Sequence, residues 1–172
     1  MRPYLLTLSL LVALTGCGYH TAGSATHLPP DVQTLAVPIF TTRVQNFHTE
    51  TDLTQAVIRE LNTRTRYHIL DSASPDADAT LSGTIISQTV APLTYDSATS
   101  QTSSYLITIT AKVILTGHDG RVLYQNDALG WREQYQSTQD LSGFIQEDSA
   151  AVRRIARDFA RAVVADMLES FG

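Results

Sequence analysis

Cysteine occurs once in this chain, at position 17, and its surroundings give it a specific chemistry. Leu14-Thr15-Gly16-Cys17 follows an apolar run from Leu5 to Leu14, with Arg2 as a minimal positive n-region. A run of about ten residues is too short for a helix across a bilayer of roughly 30 Å, so the segment reads as a cleaved leader. Leucine, a small residue and glycine ahead of cysteine form a lipobox. Cys17 is therefore expected to become the first mature residue, with acyl chains on its sulfur and amino group. Each buried methylene contributes about 0.8 kcal/mol, and several chains together make a lasting anchor. Once Cys17 is acylated, no thiol remains for a disulfide, a metal site or a nucleophile.

The remaining reactive residue types form no recognisable constellation. His20, His27, His48, His68 and His118 are not spaced at i, i+3 or i+4, and no HExxH pattern exists, so no metal site and no cofactor is expected. Ser24, Ser142 and the other serines lack a G-x-S-x-G elbow. Asp76 and Asp78 are close enough to suggest an acid/base pair, but they fall in a turn, where aspartate is favoured for local hydrogen bonding. No glycine-rich phosphate loop of either common type is present. Arg153, Arg154, Arg157 and Arg161 would clamp an anion if they converged; an exposed helix face explains them more simply. Catalysis is not required by any of this, and the expectation is a protein that is not an enzyme.

The elements that must position these residues follow from periodicity. Removing residues 1–16 leaves 156 residues, enough for one domain with a core, and 11 cations against 17 acids. That balance, with Lys112 as the only lysine, argues against nucleic acid as a partner. Residues 17–31 read as a lipidated start and a Gly-, Ser-, Thr- and Pro-rich tether, and 32–172 as a single domain. Thr34 to Phe40 reads as a first strand, with Pro38 marking an edge or the strand's end. Thr49 with Asp52 resembles a capping box. It opens a helix with Leu53, Ala56, Val57 and Leu61 on one face. Tyr67 to Leu70 is a short strand, and Ala79 to Val90 a longer one, ending before Pro92. From Tyr105 to Thr116 the odd positions are apolar, while the even ones include Thr108, Thr110, Lys112 and Thr116. His118-Asp119-Gly120 is a hairpin turn, leading into a strand from Arg121 to Gln136 with a bulge expected at Gly130. A helix over about 145–169 carries Val152, Ile155, Ala156, Phe159, Val163 and Met167 as one stripe. The order β-α-β-β-β-β-α predicts an α+β fold, a mixed sheet of about four to five strands with two helices on one face.

Hydroxyls are dense between Thr80 and Ser104, and the stretch from Ala91 to Ser104 reads as a long loop. Loops of that length inside a compact domain are usually functional or mobile. Pro92, Tyr95 and Tyr105 frame it, the tyrosines as amphipathic anchors for another protein.

Taken together, these segments resemble the LptE family of lipopolysaccharide-assembly lipoproteins over nearly the whole mature chain. Cys17-Gly18-Tyr19 with Gly23 is similar to the family's mature start, and Leu35-Ala-Val-Pro-Ile-Phe40 to its first strand. The run from Glu50 through Leu53-Thr54 to Glu60-Leu61 and Arg66-Tyr67 resembles its first helix and second strand. Ala77 to Gly83 resembles the third strand, and Tyr105 to Leu115 with Asp119-Gly120 the central hairpin. One departure is Thr41-Thr42, where an asparagine is expected in the loop leaving the first strand.

The resemblance implies a non-enzymatic outer-membrane component, lipid-anchored and facing the periplasm. Gly18 after the cysteine, by similarity to lipoprotein sorting signals, agrees with that address. It implies an LptD-type β-barrel as partner, which such proteins plug and help to assemble, and contact with lipopolysaccharide. The ligand is anionic, so Lys112, Arg121 and Arg132 are its candidate contacts; strand cations also discourage edge aggregation. Leu35 to Leu70 is also similar to lipoproteins of the curli-secretion and penicillin-binding-protein-activator type. A secretion pore would need extra membrane-spanning hairpins, and an activator a longer tether.

Overall fold

A computed structural model of the chain describes residues 32–44, 49–95, 102–136 and 141–171. Cys17, the leader, the tether and residues 96–101 of the predicted loop lie outside them. The strands are β1 (Thr34–Ala36), β2 (Thr41–Thr42), β3 (His68–Leu70), β4 (Ala79–Tyr95), β5 (Thr102–Gly117) and β6 (Val122–Gln136). The helices are α1 (Thr49–Arg64) and α2 (Leu141–Glu169). They form one mixed sheet in the order β3-β1-β4-β5-β6, with β2 also on β4. β1 runs parallel to β3 and β4, and β4, β5 and β6 are antiparallel. The α+β class and the two-helix layer are as expected, with six strands where four to five were anticipated.

Both helices bury the predicted stripes. Leu53, Ala56, Val57 and Leu61 of α1 are buried, as are Val152, Ile155, Ala156, Phe159, Val163 and Met167 of α2. They close over the inner face of the sheet, where Ile107, Ile109, Ala111, Val113 and Leu115 stand in alternation on β5. Phe159 sits at the centre, edge-on to Trp131 at 5.0 Å and to Phe40 at 6.2 Å between ring centroids. Phe40 lies over Gly83, where a Cβ would come within 2.4–2.5 Å of the Phe40 ring carbons. The glycine in β4 is therefore an accommodation for an aromatic, a close approach of the kind that strand glycines mark.

Three expectations change. β1 ends at Ala36, and the chain re-pairs as β2 at Thr41-Thr42, parallel to Thr84 and Ile85. Pro38 thus marks the strand's end and not an edge, since β1 lies between β3 and β4. β4 does not stop before Pro92: it continues to Tyr95, with Pro92 opposite Tyr105. Beyond Ile85 that side of β4 pairs with β5 alone among the described residues, so a residue without N–H costs no ladder bond there. Of the predicted loop from Ala91 to Ser104, residues 91–95 belong to β4 and 102–104 to β5. Third, the β6 bulge is not at Gly130, which pairs in register with Thr110; the shifts fall between Leu129 and Asn126 and between Tyr124 and Val122.

Polar contacts hold the ends of the two layers together. Thr49 opens α1 by donating its hydroxyl to Gln88 Oε1 at 2.7 Å, both residues being buried. Thr54 accepts from the Phe40 amide at 2.9 Å and donates to the Glu50 carbonyl at 2.6 Å, tying α1 to the segment after β1. Tyr124 of β6 donates to Asp166 of α2 at 2.6 Å. Its burial, reinforced by the Asp166 carboxylate, pushes the phenol well above its ordinary range.

Candidate functional site

The outer face of the sheet is left uncovered by either helix, and its chemistry follows from the even positions of β5. Thr108, Thr110, Lys112 and Thr116 project there, with the half-buried Leu106 and Ile114 among them, between Thr80, Ser82, Thr84, Ser87 and Thr89 of β4 on one side and β6 on the other. Thr41 of β2 extends the ladder, its hydroxyl 3.0 Å from that of Thr84. These short side chains present hydroxyls without filling space. From Ser87 onward, β4, β5 and β6 project past β1, β2 and β3 as a three-stranded ribbon.

Lys112 lies midway along this face, and its ammonium meets Asp127 Oδ1 at 2.6 Å. Asp127 comes from the irregular stretch of β6 between Asn126 and Leu129, where the bulge re-aims a side chain that regular pairing would place elsewhere. Gln125 Nε2 donates to both Asp127 oxygens, at 2.8 and 2.9 Å. The bond from Lys112, then that from Gln125, holds the Asp127 carboxyl below its usual range. Sequence reasoning missed Asp127 because no local pattern marks which residue a bulge turns outward.

Arg132 stands exposed on the same face, opposite Thr108. Arg121 does not join them. It sits at the far end of β6 in the turn, 3.9 Å from Asp119 and 70% exposed, about 35 Å from Arg132 at strand rise. That turn is a three-residue loop: the Gly117 amide donates to Arg121, the Gly120 amide to Gly117, and Gly120 takes a positive φ of 81°. The three candidate cations thus divide into a pair on the open face and one at the opposite end.

The aromatic frame is placed differently from the expectation. Tyr105 is within β5, half-buried and stacked on Tyr135 at 5.5 Å, so it closes the upper end of the core. Tyr95 ends β4 opposite Thr102. Thr94 and Ser104 pair their hydroxyls at 2.6 Å beside them. Ile86, Val90 and Leu93, which the sequence reading did not single out, are exposed along the same half of β4.

Asp78, read from the sequence as a turn residue favoured for local hydrogen bonding, is a structural clamp. Asp78 Oδ2 accepts from the amides of Gln33 at 2.9 Å and Thr34 at 2.8 Å, where the chain enters β1. Those two bonds, Thr34's first, hold its carboxyl below the ordinary value near 3.8. Its backbone also receives the His118 amide, locking the turn to the start of β1. Among the described residues no group of histidines, cysteines or acids could hold a metal ion, and no helix is long and apolar enough to cross a membrane.

Helices closed over one side of a mixed sheet, with a polar ribbon left open on the other, define a two-layer α+β domain of the kind found in small bacterial lipoproteins. Its fold is similar to that of the rare lipoprotein B from Shewanella oneidensis, with a TM-score of 0.54 and 13% identity over 80% of this chain and 96% of that one. Lipoprotein B from Nitrosomonas europaea is similar at a TM-score of 0.53 and 12% identity, over 85% and 87% of the two chains. None of the curated proteins matches the chain. The lipopolysaccharide-assembly family model, LptE, matches residues 32–167, and the chain belongs to that family.

Proposed function

We propose that this protein is an outer-membrane lipoprotein, anchored through acylated Cys17 on the periplasmic side, which plugs an LptD-type β-barrel and assists its assembly. It is not an enzyme in this reading; it works by surface contact. The observation that carries the reading beyond family membership is the uncovered hydroxyl face on a projecting ribbon. Such a face satisfies its own backbone groups and offers short polar side chains to a wet lumen wall. Pro92, Tyr95 and Tyr105 lie at the ribbon's outer half, nearest a barrel that received it.

Lipopolysaccharide is the second partner, through its phosphates and acids. Arg132 is the stronger candidate, since Lys112 is already matched by Asp127. That ion pair is a modest obstacle: Lys112 and Asp127 are 35% and 63% exposed, and water screens exposed pairs so that they contribute little. A phosphate brings more charge and more acceptor oxygens than one carboxylate, so it displaces Asp127 at little cost. Arg121, remote from both, contributes to the turn and not to this contact.

The test is affinity purification of the lipidated protein from its own outer membrane in mild detergent, with mass spectrometry of what accompanies it. A stoichiometric large β-barrel is expected. A peptidoglycan synthase in its place would move the chain to the activator class, and a Cys17→Ala variant still held in the membrane would refute the anchor.

A further inference from the structure

The helical layer carries cations that the open sheet face does not account for. α1 and α2 pack side by side, and between them runs a groove of about 130 Å³. Ala56 and Ala160, both buried, form part of its lining, so the helices leave room where larger residues would fill it. Arg59, Glu60 and Thr63 of α1 line one side, and Arg157 and Arg161 of α2 the other. Three of the chain's 12 cationic side chains therefore face one small depression in a protein of net charge −5.

The acids nearby do not balance them. Glu60, the one carboxylate of the lining, is bridged to Arg64 Nε at 3.1 Å, one turn further along α1. Asp158 reaches Arg161 at 3.6 Å, with both side chains well exposed. Arg59 and Arg157 have no carboxylate partner among the described residues. Arg154, by contrast, is turned to β6 and bonded to Glu133 at 2.5 Å, so the four arginines of α2 do not act as one group. Arg157 and Arg161 are one turn apart, a spacing at which like charges repel. An anion in the groove relieves that repulsion, and planar guanidinium forks match an oxyanion edge on. Thr63 donates its hydroxyl to the Arg59 carbonyl at 2.8 Å, so the donors left for a ligand are guanidinium groups.

We propose that this groove is an anion site for a single phosphate group, held by Arg59 and Arg157 from opposite walls with Arg161 beside them. It lies on the helical side of the sheet, opposite Lys112 and Arg132, and is independent of the reading of the open face. The phosphate is carried either by a small soluble molecule or by the headgroup of an anionic lipid, next to which a tethered domain resides.

The experiment uses the full chain with Cys17→Ser, so that no acyl group contributes. Inorganic phosphate is titrated by calorimetry at low salt, and flotation is measured with phosphatidylglycerol vesicles against phosphatidylcholine vesicles. Arg59→Gln with Arg157→Gln is expected to weaken phosphate binding about tenfold while the far-ultraviolet spectrum and melting curve stay unchanged. Arg121→Gln, at the turn and outside the groove, should leave that binding as it is, which separates the groove from exposed charge in general. Flotation with phosphatidylglycerol that depends on the same two arginines assigns the phosphate to a lipid headgroup; inorganic phosphate binding alone assigns it to a soluble molecule. Should the double variant lose its fold, Arg157→Gln alone provides the comparison. Undiminished binding of both probes in the groove variants would overturn the proposal.

Discussion

The two faces of β5 run side by side along the same backbone and do opposite work. Ile107, Ile109, Ala111, Val113 and Leu115 point into the helices and are all but inaccessible, whereas Thr108, Thr110, Lys112 and Thr116 stand half-exposed on the other side. The inner face is specified by volume, because side chains packed at interior density have no room to adjust. The outer face is specified by charge and hydrogen bonding, and water can substitute for any one group. Stability should thus concentrate on one side of the sheet and recognition on the other, with few residues serving both.

The largest break in that comparison comes from Phe159→Ala, which removes the ring between Trp131 and Phe40. A loss of about 3–5 kcal/mol is expected, read as a lower midpoint of urea unfolding. Gly83→Ala should follow at about 1–3 kcal/mol, because its new methyl meets the Phe40 ring. Combining it with Phe40→Leu should recover part of that loss if the clash is the cause. A purely additive double variant would place the cost elsewhere.

Asp78 and Asp127 give the comparison a pH axis. Both carboxyls are held below their ordinary value in the folded chain, so near pH 4 the unfolded chain binds more protons. Their contribution is full above the ordinary value near 3.8 and is lost as pH falls through the folded values. Acid unfolding monitored by circular dichroism should therefore steepen below about pH 4. Asp78→Asn should flatten that dependence by weakening the clamp on Gln33 and Thr34. Asp127→Asn should change stability less than Asp78→Asn, since it breaks an ion pair whose two side chains are both open to water. On the proposed function the same change frees Lys112, so lipopolysaccharide binding should rise, and Arg132→Asp should lower it with the unfolding midpoint unchanged. Thr110→Ala marks the bottom of the scale, within about 0.5 kcal/mol.

Much of this arrangement was legible in the chain itself. The stripes of α1 and α2 and the alternation of β5 are local periodicities, and burial respects them residue by residue. Gly120 was legible because the turn needs a positive φ that glycine reaches without strain. Less legible were features whose cause lies on a neighbouring strand. Pro92 reads as a strand stop, yet it is tolerated because β4 is paired on one side only at that point. Gly130 reads as a bulge, yet the register shifts fall at Asn126 to Leu129 and at Val122 to Tyr124.

What the sequence determined by itself, then, was the class of the fold and which face of each element is apolar, since both follow from the 3.6- and 2-residue periods along a single segment. Only the tertiary structure decided which cations are free and which are matched. Lys112 met Asp127 through a bulge, Arg154 met Glu133 across layers, and Arg59 came to face Arg157 over a helix groove. Charge pairing depends on distances between segments far apart in the chain, and no local pattern encodes those distances.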